Sequence, residues 1–332
     1  MSDNSVISTR VRLARNLKNF PFPCKLSPDG MEKVIEKVRS AVKNSNSSIA
    51  SDFKFIKMSD LTEAQCVSLV ERRIVSPEFI SNTEGRALLV NSDESLSIMI
   101  NEEDHIRIQA ITKGLALEQT YDLVDKLDTL LDESLDFAFS EKLGYLTQCP
   151  TNLGTGMRAS VMLHLPALEK SRAIGRIAGN LSKLGLTIRG THGEGTEPKG
   201  SLYQLSNQVT LGISEKAAIE NLKNITSQLI SQEELARERI CSNIDIQDSI
   251  SRSLGILKYA RTIAHDEALQ LLSNVRLGIV SGQLKDVPLL TIDKLMTDVE
   301  PATLMVNSGK NLSAAQRDVA RADLLRKALE EV

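Results

Sequence analysis

An α+β fold, with a largely antiparallel sheet flanked by helices and an all-helical C-terminal part, is what this sequence predicts. Three observations lead there. Short apolar runs of strand character fall between residues 86 and 110 and between 159 and 209, interleaved with helical stretches in an order too irregular for strict βαβ alternation. From Ser214 onward the strand signals almost vanish, and Ala, Leu, Glu, Lys and Arg recur at helical spacing. At 332 residues, 41% hydrophobic and 25% charged, the chain has room for one large domain and a smaller one with an ordinary globular composition.

The elements follow in order. After a short arginine-rich opening, Ser27-Pro28-Asp29 reads as a helix start, and Met31, Val34, Ile35, Val38 and Val42 continue at helical spacing. Leu61, Cys66, Leu69 and Val70 suggest a second helix. Residues 86–92 and 95–101 read as a β-hairpin turning at Asp93-Glu94, and Ile106, Ile108 and Ala110 alternate as a further strand. Glu102 and Glu103 therefore sit where two strands meet, a junction suited to a site. A helix over about 115–139, a strand at 159–165, a helix at 166–184, a strand at 186–190, a glycine-rich loop through Gly200 and a strand at 201–209 complete the mixed region. The boundary between the two parts is placed at 236/237, in the polar run from Ser231 to Arg239, which a helix could bridge.

Composition excludes several classes. No apolar stretch approaches the roughly 20 residues of a membrane span, and the N-terminus is polar without a signal-peptide core, so a cytoplasmic protein without membrane contact is expected. Cys24, Cys66, Cys149 and Cys241 are scattered with no CxxC pair, which argues against a disulfide framework and against a bound structural metal. A net charge of −3 and the absence of Trp give no drive toward nucleic acid. Neither a GxxxxGK[ST] loop nor the catalytic-loop and DFG patterns of the common protein kinases occur.

Four segments carry chemistry: Ser8-Thr9-Arg10-Val11-Arg12, the run from Asn101 through Glu103 to Arg107, the run from Cys149 through Gly154 and Gly156 to Arg158, and Arg189-Gly190-Thr191-His192-Gly193-Glu194. Taken singly, each arginine reads as a solvated surface charge, each glutamate as a loop acid and Cys149 as a buried inert thiol. Together they offer permanent, bidentate cations for phosphate beside carboxylates, a sulfur and glycines that allow close backbone approach. Arg10 and Arg12, two apart, share one face of an extended segment.

These four segments closely resemble those of the phosphagen (guanidino) kinase superfamily. The resemblance implies that superfamily's catalytic architecture over roughly residues 5–236, with ATP and bridging Mg²⁺. It assigns Arg10, Arg12, Arg107, Arg158 and Arg189 to the phosphates, and places Ser8, Thr9, Val11, Ala159, Ser160, Val161, Met162, Gly190, Thr191, His192, Gly193 and Glu194 along the nucleotide. Arg73 stands where a nucleotide-contacting histidine usually stands. Glu103 and Glu194 match the two carboxylates that grip the guanidinium, and Cys149 the sulfur that positions it. The chemistry needs such a pincer: a guanidinium with pKa roughly 13 lies about six units above neutrality, on the order of 8 to 9 kcal/mol. Two carboxylates can fix the planar fork and take its proton as transfer proceeds. His105 is expected to hydrogen-bond locally.

In small-molecule arginine and creatine kinases a helical domain precedes the first motif, whereas this chain opens seven residues before Ser8 and adds a helical C-terminal part. That arrangement resembles the bacterial protein-arginine kinases. The resemblance implies protein substrates bearing arginine and a phosphoarginine-binding RDxxRA motif at Arg317, Asp318, Arg321 and Ala322. It also implies a homodimer or higher assembly, and partners in protein quality control: a Clp-type ATPase and protease, a small zinc-binding activator and a stress-gene repressor. Two competing readings are a kinase of free guanidines and a non-catalytic reader of phosphoarginine. Residues alone identify none of the partners.

Overall fold

The structure, a computed structural model, describes residues 4–45, 47, 49–190 and 198–330. Strand β1 (Val6–Arg15) alternates apolar and polar side chains, so Val11 and Leu13 are fully buried on one face while the arginines two apart lie on the other. Helix α1 (Pro28–Lys43) starts as its sequence dictates: the Ser27 hydroxyl accepts from the Gly30 amide, Pro28 opens the first turn, and Val34, Ile35, Val38 and Val42 are buried. Each such aliphatic side chain contributes about 1.5–3 kcal/mol by leaving water. Short strand β2 (Lys54–Lys57) was not foreseen, because four residues carry too little alternation. Helix α2 (Glu63–Glu71) opens with a Thr62/Gln65 capping box, and the single-turn α3 (Pro77–Ile80) follows.

The expected hairpin is β3 (Ala87–Val90) and β4 (Leu96–Ile100), followed by β5 (Ile106–Lys113). Helix α4 (Leu117–Asp132) is shorter than expected, ending before the backbone of Phe137 and Ala138 bridges to Leu17 and Asn16. After the small hairpin β6 (Phe139–Ser140) and β7 (Gly144–Tyr145) comes β8 (Met157–His164). The single helix expected at 166–184 is two, α5 (Pro166–Lys170) and α6 (Ile174–Lys183), separated where Arg172 adopts a positive φ of 57°. Strands β9 (Leu186–Gly190) and β10 (Leu202–Asn207) finish the sheet.

All neighbouring strands pair antiparallel in the order β2-β3-β4-β5-β1-β8-β10-β9, placing β1 near the middle. One face, carrying Val11, Leu13, Ile98, Ile106, Ile108, Ala159, Val161 and Leu205, forms the main core with α1, α4 and the first half of α7 (Glu215–Cys241). Helix α7 runs unbroken through the polar run at 231–239 and carries the chain from the sheet into helices α8 (Ile244–Tyr259), α9 (His265–Val280), α10 (Leu289–Asp298), α11 (Pro301–Ser308) and α12 (Ala314–Ala328).

The opposite face is covered only at its two ends. At one, Leu88, Val90 and Met99 pack under α2 and α3 with Met58, Cys66, Leu69 and Phe79. At the other, Met162 and Leu202 belong to the core of the helical part, with Leu269 of α9 and Met296 of α10. The two covers meet: the Glu71 carboxylate at the end of α2 accepts from the Ala302 and Thr303 amides at 2.9 and 2.6 Å, capping α11. Between them the sheet face is left open to a cleft.

Candidate active site

The ladder registers decide what faces the cleft. Arg12 stands opposite Arg158 on β8 and opposite Gln109 on β5, while Ala14 stands opposite Arg107. Gln204 stands opposite Met162 and Arg189, and Ser206 opposite Ser160. Since paired residues share a face, Ser8, Arg10, Arg12, Arg107, Arg158, Ser160, Met162 and Arg189 all project to one side. Arg10, Arg12, Arg73, Arg158 and Arg189 line one cavity of about 610 Å³, which Gly190 also borders. Arg12 and Arg158 reappear with Arg107, Glu103 and Asn152 around an adjoining space of about 110 Å³.

The same alternation sends other expected cofactor residues the opposite way. Val11, Ala159 and Val161 are fully buried in the main core. Thr9 donates its hydroxyl to the Gly114 carbonyl at 2.7 Å and accepts from the Ala116 amide at 3.1 Å. The side chains of these four cannot reach the cleft, because a contiguous run on a strand presents only every second residue to one side. Thr191, His192, Gly193 and Glu194 lie outside the described residues.

Cations crowd this face of the sheet. Burial, then repulsion from Arg73, Arg107 and Arg158, pushes Arg10 down to about 9, and burial with the same kind of repulsion holds Arg12 well below its ordinary value. A value of about 9 leaves Arg10 charged at neutral pH. Arg10 Nη2 donates to Gln204 Oε1 at 2.9 Å and Arg158 Nη2 to Ser206 Oγ at 3.3 Å. Arg12 Nε is buried with no hydrogen-bond partner among the described residues. An orphaned guanidinium nitrogen in a crowd of cations fits a polyanion.

Arg73 belongs to this group. Its backbone is left-handed at φ 64°, and Gln109 Nε2 donates to the carbonyls of Arg73 and Ile74 at 2.9 and 3.0 Å. Its buried guanidinium is lowered by desolvation and supported by Glu300 of the helical part. Gln109, Gln204 and Ser206 were not anticipated; the alternation Leu202-Tyr203-Gln204-Leu205-Ser206 was the available signal for the last two.

The acidic motif divides its labour. Glu102 is buried and grips Arg107, with Arg107 Nη1 at 2.6 Å from Oε2 and 2.8 Å from Oε1, while its Oε1 also accepts from the Ser76 hydroxyl. Glu103 is half-exposed, 3.6 Å from Arg107 Nη2, with Asn152 Nδ2 at 3.5 Å. Burial raises the Glu103 carboxyl, Arg107 opposes the shift, and Asp104 and Glu102 add to it. A raised carboxyl is a better proton acceptor. Asp104 is the bracket behind: its Oδ1 accepts from Asn16 Nδ2 at 2.6 Å and from the Gln148 amide at 2.8 Å, next to Cys149. His105 accepts from the Leu17 amide through Nδ1 at 3.1 Å, so its Nε2 donates to the Pro21 carbonyl at 2.9 Å, and it is structural.

The cysteine loop is shaped by glycine. A Cβ on Gly154 would stand 2.3 Å from the Thr210 carbonyl oxygen, and one on Gly156 2.6 Å from that of Ala14, both at positive φ. Cys149 is half-buried, its sulfur 3.0 Å from Thr151 Oγ1.

The second motif is built differently from a free two-arginine grip. Arg321 is buried, donating from Nε to the Val299 carbonyl at 2.9 Å and from Nη1 to the Ile263 carbonyl at 2.8 Å and to Asp318 at 2.7 Å. Ala322 is fully buried. They sit on the inner side of α12, where Arg321 satisfies carbonyls at the end of α10 and before α9. Arg317 and Asp318 keep partial exposure, Arg317 donating to the Leu312 carbonyl at 3.0 Å.

Comparison with known proteins agrees along the whole chain. Residues 33–236 match the family described as ATP:guanido phosphotransferase, C-terminal catalytic domain, and residues 243–332 match the protein-arginine kinase McsB C-terminal domain. A protein-arginine kinase of Halothermothrix orenii is 47% identical over 97% of this chain and 92% of its own. One from Clostridium acetobutylicum is 44% identical over 99% and 97%. Among solved structures, the duplicated taurocyamine kinase of Schistosoma mansoni with transition-state-analogue components superposes with a TM-score of 0.62 at 31% identity over 70% of this chain, which spans 34% of that longer one. Lombricine kinase gives 0.62 at 25% identity, over 70% of this chain and 67% of its own. The chain belongs to the protein-arginine kinase family of the ATP:guanido phosphotransferases.

Proposed function

We propose that the protein transfers the γ-phosphoryl group of ATP to arginine side chains of other proteins, forming a phosphoramidate N–P bond. The observation that carries this reading is the meeting of Arg12, Arg107 and Arg158 with Glu103 around one space, with Cys149 against Thr151 on its wall. Arg10, Arg12, Arg107, Arg158 and Arg189 hold the phosphates, with Arg73, Ser8, Ser160 and Met162 beside the nucleotide. ATP supplies the phosphoryl group, and Mg²⁺ is proposed to offset charge on its oxygens. Glu103, fixed by Arg107 and Asn152, orients one edge of the target guanidinium and accepts its proton. Cys149 steadies the same group electrostatically. Glu194 is proposed as the second carboxylate, on the superfamily resemblance.

Residues 1–236 are proposed as the catalytic domain and 237–332 as a helical domain whose Arg317 and Asp318, with Arg321 and Ala322 behind them, bind phosphoarginine. Marking of proteins for a Clp-type protease, relief of a stress-gene repressor, a small zinc-binding activator, a homodimer or higher assembly and a cytoplasmic site are proposed on the family resemblance. The test is incubation with labelled ATP and either a protein substrate or free arginine, read by phosphosite mass spectrometry under acid-free conditions. Label on protein arginine supports the reading; label on free arginine alone, or on no guanidinium, overturns it.

A further inference from the structure

Glu103 borders two spaces. One is the arginine-walled space of about 110 Å³ that also holds Arg12, Arg107 and Arg158. The other is a groove of about 310 Å³, walled by the start of α1, by α3 and the loop after it, and by Gln148, the residue before Cys149. Its lining carries four carboxylates, Glu78, Glu84, Glu102 and Glu103, against one cation, Arg86. Arg86 spends its hydrogen bonds inside the fold, from Nε to the Asn101 carbonyl at 3.0 Å and from Nη1 to those of Glu78 and Phe79 at 2.6 and 2.7 Å. Glu102 is taken up by Arg107. Glu78 and Glu84 are exposed, with no ion pair among the described residues. Asn101, 2% exposed, is part of the same wall. Its Nδ2 donates to the carbonyls of Met31 and Gly85 at 3.0 and 2.9 Å, while its buried Oδ1 has no hydrogen-bond partner among the described residues. An open buried acceptor beside surplus carboxylate suits a ligand rich in N–H donors and positive charge.

A guanidinium bound for Glu103 is opposed by like charge in the arginine-walled space and attracted by the groove on the acidic one. We propose that the groove docks the acceptor polypeptide, with the chain beside the target arginine running past Glu78 and Glu84, and that it selects segments in which lysine or arginine flanks the target. Pro23 and Met31 in the lining give the aliphatic stems of such side chains an apolar surface while their charged ends reach the carboxylates. Complementarity of this kind decides which segments are chosen and how fast they arrive, more than the rate of the chemical step. The proposal rests on Glu103 being the carboxylate that takes the target guanidinium.

The test uses the full chain with ADP and magnesium and three fluorescein-labelled peptides, each with one central arginine flanked by lysines, by alanines or by glutamates, their binding read by anisotropy. The parent is expected to bind the lysine-flanked peptide about tenfold more tightly than the glutamate-flanked one, with the alanine-flanked one between; a preference below about threefold overturns the proposal. The double variant Glu78→Lys with Glu84→Lys is expected to level or reverse that order, and a gain for the glutamate-flanked peptide is something a general loss of structure could not give. A folded variant that keeps the parental order overturns the proposal. If it does not fold, Glu78→Gln with Glu84→Gln, which keeps the side-chain shape at two exposed positions, decides the matter: a preference reduced about twofold or more upholds the groove, and a smaller change overturns it. Failure of the kinase reading looks different: the peptides bind in the expected order, yet no phosphoarginine forms in any of them when ATP replaces ADP.

Discussion

Arg12 and Arg158 stand directly opposite each other across the β1–β8 ladder, two cations on one face of an antiparallel pair. Like charges so placed destabilise a sheet. Here the repulsion is shared with Arg10, Arg73 and Arg107, and a bound polyanion would relieve it.

Removing one of the pair should therefore separate stability from activity. Arg12→Met is expected to raise the melting temperature of the ATP-free protein slightly, or leave it unchanged, while lowering kcat/KM by at least about 100-fold. A clear fall in melting temperature would mean that the cations are balanced within the protein and need no anion.

Glu103 should set the acid limb of the rate profile. Its carboxyl is raised by burial, so the proton-accepting form is lost as pH falls through a value above the ordinary carboxylate range. Transfer should decline below that point, and Glu103→Gln should lose about 10² to 10⁴ in kcat with ATP affinity retained. A Glu103→Gln enzyme with the parental rate and pH profile would remove Glu103 from the chemistry.

His105 should make the fold acid-sensitive. Burial pushes it down to about 4 from 6.5, so the unfolded chain binds the proton first. The stability this contributes is fully present above about pH 6.5 and is lost on acidification through about pH 4, of the order of 3 kcal/mol in all. Urea midpoints at pH 7 and 5 should differ more in the parent than in His105→Gln; equal differences would assign the acid sensitivity elsewhere, for instance to the buried His164.

The RDVARA motif should split into two behaviours. Arg321→Ala leaves two buried carbonyls without their charged donor and should destabilise by about 3 kcal/mol. Arg317→Ala should leave the melting temperature nearly unchanged while weakening a phosphoarginine peptide severalfold in a binding titration. If Arg317→Ala binds that peptide as the parent does, the exposed half of the motif is not the anion site.

Much of this was readable beforehand. The hairpin at Asp93-Glu94, the helix beginning after Ser27 and the all-helical end follow from local periodicity and caps, which are properties of neighbouring residues. Less readable was the fate of contiguous motifs. Arg10, Arg12 and Arg158 face the cleft whereas Thr9, Val11 and Ala159 face the core, a split that appears once the segments are known to be strands. Glu102, adjacent to Glu103 and chemically identical, became the clamp on Arg107 because Ser76 and Arg107 converge on it from elsewhere in the chain.

By itself, the sequence determined the reagents: arginines, carboxylates, a thiol and the glycines that bend around them, together with the strands and helices that short-range pattern imposes. Which of them meet is fixed by long-range pairing and packing. Strand register aligns β5, β1 and β8 so that residues about a hundred positions apart share one face. Packing of α9 and α10 against Met162 and Leu202 turns that face into a closed-ended cleft, and the inward turn of α12 commits Arg321 to backbone carbonyls. Such pairings depend on burying apolar surface between distant segments, and no local spacing in the chain encodes them.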